Sequence, residues 1–252
     1  MAGSTTTTAR RCRGDSQGGR SMPTVFVTGA SRGLGLEFCR QYAAAGWQVL
    51  GGCRDPRGAE ALKKAGVAVY KLNVDSDASV TDLARALEGQ AIDVLILNAG
   101  VGTRERDRLG ILDYGLWRDV LNTNLLGAMR VAEALLSHLG RGSLRKIVGI
   151  TSGLGSHARL QREGGGNRGA YYIYRTSKAA LNMAMQGLAV DLAPRGFVCV
   201  ALHPGWVRTD MGGPSAPLDV TQSVAGMRKT IDRLNAKDNG RFLGHDGAEM
   251  AW

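Results

Sequence analysis

Short apolar runs alternate with helix-patterned segments along almost the whole chain, and this alternation restricts the fold more than any other feature. Strands are expected at 25–27, 49–50, 67–72, 92–97, 146–151, 197–202 and 241–243. Helices are expected between them at 34–45, 57–65, 77–88, 115–139, 172–192 and 219–235. Leu34, Phe38 and Tyr42 fall on one face of the first helix, and Val80, Leu83, Ala84 and Leu87 repeat at helical spacing in the third. Strands that are apolar throughout must be covered on both faces. Right-handed crossovers then give an α/β fold with a doubly wound, mainly parallel sheet of seven strands. Ligands of such sheets bind beyond the carboxyl ends of the strands.

At 252 residues and 44% hydrophobic content, the chain can bury one full-sized core. Residues 23–252 contain no repeat and no linker, so they are expected to form a single domain. Residues 1–22 carry Thr5 to Thr8, several glycines and Arg10, Arg11, Arg13 and Arg20, with almost nothing to bury. They are expected to be a disordered leader, with Met22 as the natural start. No run approaches the roughly 18–20 apolar residues that span a bilayer, and no secretory signal is visible. No membrane contact is expected, and the cytoplasm is the expected compartment.

Cys12, Cys39, Cys53 and Cys199 form no CxxC pair, and His138, His157, His203 and His245 add no zinc-type spacing. Free thiols and no metal are expected. The net charge is +10, yet no Lys/Arg run is interleaved with aromatics. Nucleic acid is therefore not an expected partner. A basic surface does suit an anionic phosphate ligand.

Two motifs carry chemistry. Thr28-Gly29-Ala30-Ser31-Arg32-Gly33-Leu34-Gly35 follows the first strand and opens the first helix. Glycines there let the backbone turn tightly and approach a pyrophosphate held at the helix N-terminus. The spacing is neither GxGxxG nor that of a P-loop. The second motif is Tyr174-Arg175-Thr176-Ser177-Lys178. On a helix, residues four apart share a face, and an ammonium beside a phenol favours the phenolate. Lys178 is therefore expected to lower the pKa of Tyr174, fitting it for proton transfer. Tyr171 and Tyr172 lack this partner, since Arg175 and Thr176 stand four residues on.

In order along the chain stand TGxxxGxG at 28–35, Asn98-Ala99-Gly100, Asn124 in Asn124-Leu125-Leu126-Gly127, Ser152, YxxxK at 174–178, and Pro204-Gly205-Trp206-Val207-Arg208-Thr209. With these motifs residues 23–252 resemble the short-chain dehydrogenase/reductase family. The stretches 171–182 and 203–213 are most similar to its sniffer-type and C-factor-like carbonyl reductases. The resemblance implies a Rossmann-type domain that moves hydride between a nicotinamide and a carbonyl or secondary alcohol. Family members are often homodimers or homotetramers, and the closer branch includes monomers.

The resemblance also implies site roles. Ser152 and Tyr174 would hydrogen-bond the substrate oxygen, Lys178 would hold the nicotinamide ribose, and Asn124 would support a water linking Lys178 to solvent. Thr151 replaces Ser152 if the register is one residue off. Cofactor contacts would come from Gly29, Ser31, Arg32, Gly33, Leu34, Gly35, Arg54, Asn73, Val74, Asn98, Ala99, Gly100, Tyr174, Lys178, Pro204, Gly205, Val207 and Thr209.

Cys53 aligns with the acidic position that selects NAD, and Arg54 can bind the 2′-phosphate of NADP, supported by Arg32. NADP(H) is therefore expected over NAD(H), although Asp55 would restore NAD if the alignment slipped by one. Met211, Pro214, Ala216 and Leu218 suggest an apolar carbonyl substrate. The 153–170 loop, with Gly164, Gly165 and Gly166, is read as either a passive loop or a lid. The competing reading is a regulatory protein that keeps the fold and cofactor without turnover.

Overall fold

Seven strands carry the fold: β1 (Thr24–Thr28), β2 (Gln48–Cys53), β3 (Ala68–Lys71), β4 (Val94–Leu97), β5 (Lys146–Ile150), β6 (Val198–His203) and β7 (Phe242–Gly244). The computed structural model describes residues 22–103, 107–162 and 170–252. The expected leader up to residue 21 and the glycines at 164–166 lie outside the described residues. The strands form one sheet in the order β3-β2-β1-β4-β5-β6-β7. Every strand pair is parallel, so the sheet is more uniform than expected.

Alternate residues of each strand feed two separate cores. Phe26, Leu50, Leu95, Ile147 and Cys199 pack on one face. Val25, Val27, Val49, Ile96, Val148 and Val200 pack on the other. Both faces need apolar cover, which is why the strands read as unbroken apolar runs. The second face is covered by α1 (Gly33–Ala44), α2 (Glu60–Lys64) and α9 (Val220–Arg233), through Phe38, Tyr42, Leu62, Val224 and Met227. The first is covered by α3 (Asp77–Ala86), α5 (Gly127–Ala134), α6 (Leu136–Arg141) and α8 (Tyr172–Leu192), through Val80, Leu83, Val131, Leu139, Leu181 and Met185. Phe26 is fully buried, and a side chain of that size contributes about 1.5–3 kcal/mol by leaving water.

Two regions depart from expectation. The helix expected at 115–139 is broken into α4 (Tyr114–Leu121), a π-helical turn (Asn122–Leu126), α5 and α6. The π turn inserts an extra residue per turn without changing which residue types are used, so apolar periodicity does not reveal it. The 153–170 loop contains a 3₁₀ turn (Gly153–Gly155) and the short helix α7 (His157–Arg162). Ser156 Oγ accepts from Arg159 N at 3.1 Å and caps α7, a local signal that the surrounding glycines obscured.

β1 lies between β2 and β4, so the chain first winds outward from β1 through β2 to β3 and then crosses back to β4 on the other side. At such a switch point ligands bind above the carboxyl ends of the flanking strands, here β1 and β4. The glycine turn after β1, the 98–101 segment after β4, Ser152 after β5 and the 204–213 segment after β6 all lie at that end of the sheet.

Candidate active site

The glycine turn is braced from below. Thr28 Oγ1 accepts from both Asn98 N and Ala99 N at 2.9 Å. Asn98 Nδ2 donates back to Thr28 O at 2.9 Å and Gly29 O at 3.3 Å. Gly29 has φ +64°, and a Cβ there would stand 2.9 Å from Ala99 Cα. A Cβ on Gly35 would run into Gly29 O and would stand 2.6 Å from Asn98 Nδ2. Both positions therefore require glycine. Asn98 is a brace for the turn: its amide N–H groups are committed to backbone oxygens. Ser31, Arg32 and Gly33 are exposed above it and Leu34 is half-buried.

The ends of β2 and β3 lie next along the same edge of the sheet. Cys53 is buried, and burial pushes its thiol pKa up, keeping it neutral. Arg54 is exposed. Asp55 Oδ1 accepts from Arg57 N at 3.0 Å, which occupies that carboxylate oxygen within its own turn. Asn73 Oδ1 accepts from Asp75 N at 3.3 Å, closing a local turn, and Val74 is buried against Gly127. Arg32 forms an ion pair with Asp210 at 2.9 Å. Both side chains are well exposed, so the pair contributes little to stability.

Helix α8 places Tyr174 and Lys178 on one face, with Lys178 Nζ 5.8 Å from the phenol ring centre. The Ser152 side chain faces the Tyr174 phenol closely enough to lower its pKa. Ser152 Oγ also accepts from Leu154 N at 3.1 Å. Thr151 is buried, and its hydroxyl donates to Asn182 Oδ1 at 2.6 Å, away from the phenol. Of these two neighbours, Ser152 is the one on the Tyr174 side, and Thr151 is turned to Asn182.

The expected downward pull of Lys178 on Tyr174 is not met. Burial pushes the phenol up to about 12, opposed by the Ser152 side chain, which lowers it. Lys178 donates to Ile150 O at 2.9 Å, and burial brings its pKa down to about 8. The same withdrawal from water that brings the pair together disfavours the charged form of each.

Asn124 lies in the π turn and is buried. Its Oδ1 accepts from Val101 N at 2.8 Å, and its Nδ2 donates to Val101 O at 2.9 Å and Ser177 Oγ at 3.0 Å. Ser177 Oγ donates in turn to Tyr174 O at 2.8 Å. A Cβ on Gly100 would stand 3.2 Å from Asn124 Oδ1 and 3.5 Å from Lys178 Nζ, so these three residues converge. After β6, Pro204 O accepts from Ser223 Oγ at 2.6 Å, Gly205 turns with φ +83°, and Val207 is buried and bridged to Leu218. Thr209 Oγ1 accepts from Gly212 N at 3.1 Å, and Thr209 Cγ2 approaches Gly33, so this segment faces the glycine turn.

Three supporting residues were missed in the sequence. Ser177 links Asn124 to the Tyr174 backbone. Asp107 is buried and accepts from Ile173 N at 3.3 Å in the first turn of α8, while its carbonyl accepts from Tyr171 N at 3.1 Å. Tyr171 there has φ +69°, a left-handed conformation uncommon outside glycine. His203 accepts from Gly153 N through Nδ1 at 3.1 Å. None of the three sits at a diagnostic spacing, and each acquires its partner only through tertiary contact.

An all-parallel doubly wound sheet with a glycine turn at its switch point, facing a Ser–Tyr–Lys cluster, defines a nucleotide-binding oxidoreductase architecture. Residues 23–217 match the family model for short chain dehydrogenases. The chain belongs to the short-chain dehydrogenase family. It is 47% identical over 161 residues to the C-signal of Myxococcus xanthus, covering 64% of this chain and 93% of that protein. It is 34% identical over 236 residues to a 1-hydroxy-2-glutathionyl-2-methyl-3-butene dehydrogenase of Rhodococcus, covering 92% of this chain and 100% of that protein. Among solved structures it is similar to the carbonyl reductase Sniffer of D. melanogaster, with TM-score 0.82 and 33% identity, covering 92% of this chain and 100% of that one. The NADPH-bound carbonyl reductase from chicken fatty liver superposes with TM-score 0.83 and 33% identity, covering 92% of this chain and 99% of that one.

Proposed function

We propose that this protein reduces a carbonyl compound at the expense of NADPH. The observation that carries the reading is the Ser152 side chain facing the Tyr174 phenol, with Lys178 on the same helical face. The glycine turn fits a dinucleotide: a side chain at Gly29 or Gly35 would collide with the brace beneath it, so the backbone is free to approach a pyrophosphate. When bound, the nicotinamide supplies hydride to the carbonyl carbon.

The chain's own residues do the rest. Tyr174 is protonated at neutral pH, which is the form that can give a proton to the developing alkoxide. Ser152 donates to the same oxygen and stabilises its charge. Lys178, with a pKa of about 8, exchanges its proton close to neutral pH and can restore the phenol. Asn124 is held rigidly beside it by Val101 and Ser177, suited to supporting a proton path to solvent. Thr209, Pro204, Gly205 and Val207 would border the nicotinamide end, and Tyr174 and Lys178 its ribose.

Arg54 and Arg32 favour NADP(H), since Cys53 is neutral and buried and one oxygen of Asp55 is engaged by its own turn. NADP-bound structural neighbours support that choice. Trp206 and Met211 are exposed, and Met211 packs beside Gly102, giving an apolar border suited to an apolar carbonyl substrate. The regulatory alternative is not favoured, because Asn124, Ser152, Tyr174 and Lys178 converge in one place. The test is NADPH oxidation against a panel of aldehydes, ketones and quinones. Carbonyl-dependent turnover with NADPH preferred over NADH is expected; binding of NADPH without turnover of any carbonyl would overturn the reading.

A further inference from the structure

Beyond β5, the parallel ladder loses its acceptor. Thr151 N still donates to Leu202 O at 2.9 Å. The next N–H on that side belongs to Gly153, and its main-chain counterpart on the other strand would be Pro204 O. That oxygen already accepts from Ser223 Oγ at 2.6 Å as the chain turns away. The imidazole of His203, the last residue of β6, takes its place: Nδ1 accepts from Gly153 N at 3.1 Å. A backbone N–H can only donate, so Nδ1 carries no proton and the ring is the neutral tautomer protonated at Nε2. Gly153 is tightly enclosed here, because a Cβ there would run into Arg159 Nη1 and lie 3.4 Å from His203 Nε2.

We propose that His203 is a positioning residue for carbonyl reduction: its unprotonated Nδ1 anchors the Ser152–Gly153 peptide and so aims the Ser152 hydroxyl at Tyr174. This rests on Ser152 acting on the substrate oxygen. The peptide that follows Ser152 is pinned by His203, and the two turn bonds Leu154 N to Ser152 Oγ and Gly155 N to Ser152 O build on it. His203 also leads directly into Pro204 and Gly205, so one side chain ties the Ser152 turn to the segment proposed to border the nicotinamide.

The surroundings keep the ring neutral. Burial pushes its pKa down to about 4, helped by Arg159 of α7 and by His245, and opposed by Asp246; the last two follow β7. The acceptor is therefore present through the neutral range and is lost only in acid.

Asn and Leu have the same shape, and Asn Oδ1 occupies the position of His Nδ1, so H203N keeps the acceptor and H203L removes it. With NADPH and the best carbonyl of the panel, H203L is expected to lose about 10²-fold in kcat, the scale of a roughly 1 Å misplacement. NADPH affinity is expected to stay near wild type, and H203N to recover most of the turnover. In an S152A background H203L should cost little more, because the two act as one unit. Wild-type turnover in H203L, an H203N as impaired as H203L, or full additivity with S152A would overturn the proposal.

Imidazole ¹⁵N spectra provide an arm independent of catalysis and of how H203L folds. At pH 7 Nδ1 of His203 should be unprotonated and Nε2 protonated, and a protonated Nδ1 would overturn the anchor. If NADPH binds but no carbonyl turns over, the functional reading fails, and the spectra still report whether His203 holds the peptide.

Discussion

At the ends of β1 and β4, the polar groups beneath the glycine turn are backbone atoms, the Thr28 hydroxyl and the Asn98 amide, already paired with one another. At the ends of β5 and β6 the groups are ionisable and withdrawn from water: Tyr174 is pushed up to about 12, Lys178 down to about 8 and His203 down to about 4, each with burial as the largest cause. The first region is a rigid cradle whose tolerance is set by space. The second holds groups whose protonation can change, and its properties are set by dielectric environment and by neighbours contributed from several elements. Binding a phosphate needs geometry; moving a proton needs groups poised between two charge states.

The comparison is broken most severely by Tyr174→Phe, which keeps the ring and removes the acid. Turnover with NADPH should fall by at least ~10²–10⁴, while cofactor affinity, measured by quenching of protein fluorescence, falls far less. Near-normal turnover would remove Tyr174 from the chemistry. On the cradle side, Gly35→Ala forces a methyl group onto Gly29 O and Asn98. The expected cost is about 3 kcal/mol, at the upper end for overpacking. Thermal melting should fall by about 2–4 °C per kcal/mol, and an unchanged midpoint would show that the turn can relax.

Arg54→Ala should weaken NADPH binding by about tenfold or more, the scale of a hydrogen bond to a charged group, and leave NADH nearly unaffected. Equal losses for both cofactors would mean that Arg54 does not contact a 2′-phosphate. The smallest expected change in stability sharpens the electrostatic side. Lys178→Met keeps the aliphatic stem and removes a buried charge.

For Lys178 the folded pKa of about 8 lies below the ordinary 10.5, so between those values the unfolded chain binds more protons and wild-type stability rises with pH. The charge penalty is complete below pH 8 and fades toward 10.5. After loss of the Ile150 hydrogen bond, Lys178→Met should be about 1 kcal/mol more stable than wild type at pH 7, an advantage that shrinks above pH 8 in denaturant titrations, while activity collapses. A less stable variant at pH 7 would show that the amine is better accommodated than its burial implies.

Much of this architecture is legible in the order of residues alone. Unbroken apolar strands require cover on both sides, and Phe26 and Val27 do feed the two opposite cores. The 28–35 glycines specify a turn that side chains would block, and the spacing of Tyr174 and Lys178 puts them on one helical face. The π turn around Asn124 is not legible, because it changes hydrogen-bond register without altering composition. Nor is the choice between Thr151 and Ser152, since adjacent residues on an extended strand point to opposite sides and only the partner elements decide which side faces the site. Here Thr151 bonds Asn182, and Ser152 is left on the Tyr174 side.

The sequence by itself therefore determined the fold class and the local motifs, because periodicity and backbone sterics act over a few residues. Tertiary structure alone decided the protonation preferences of Tyr174, Lys178 and His203, the brace role of Asn98 and the anchor on Gly153. Those depend on which groups from distant segments exclude water from one another, and desolvation is a property of the assembled fold rather than of any stretch of chain.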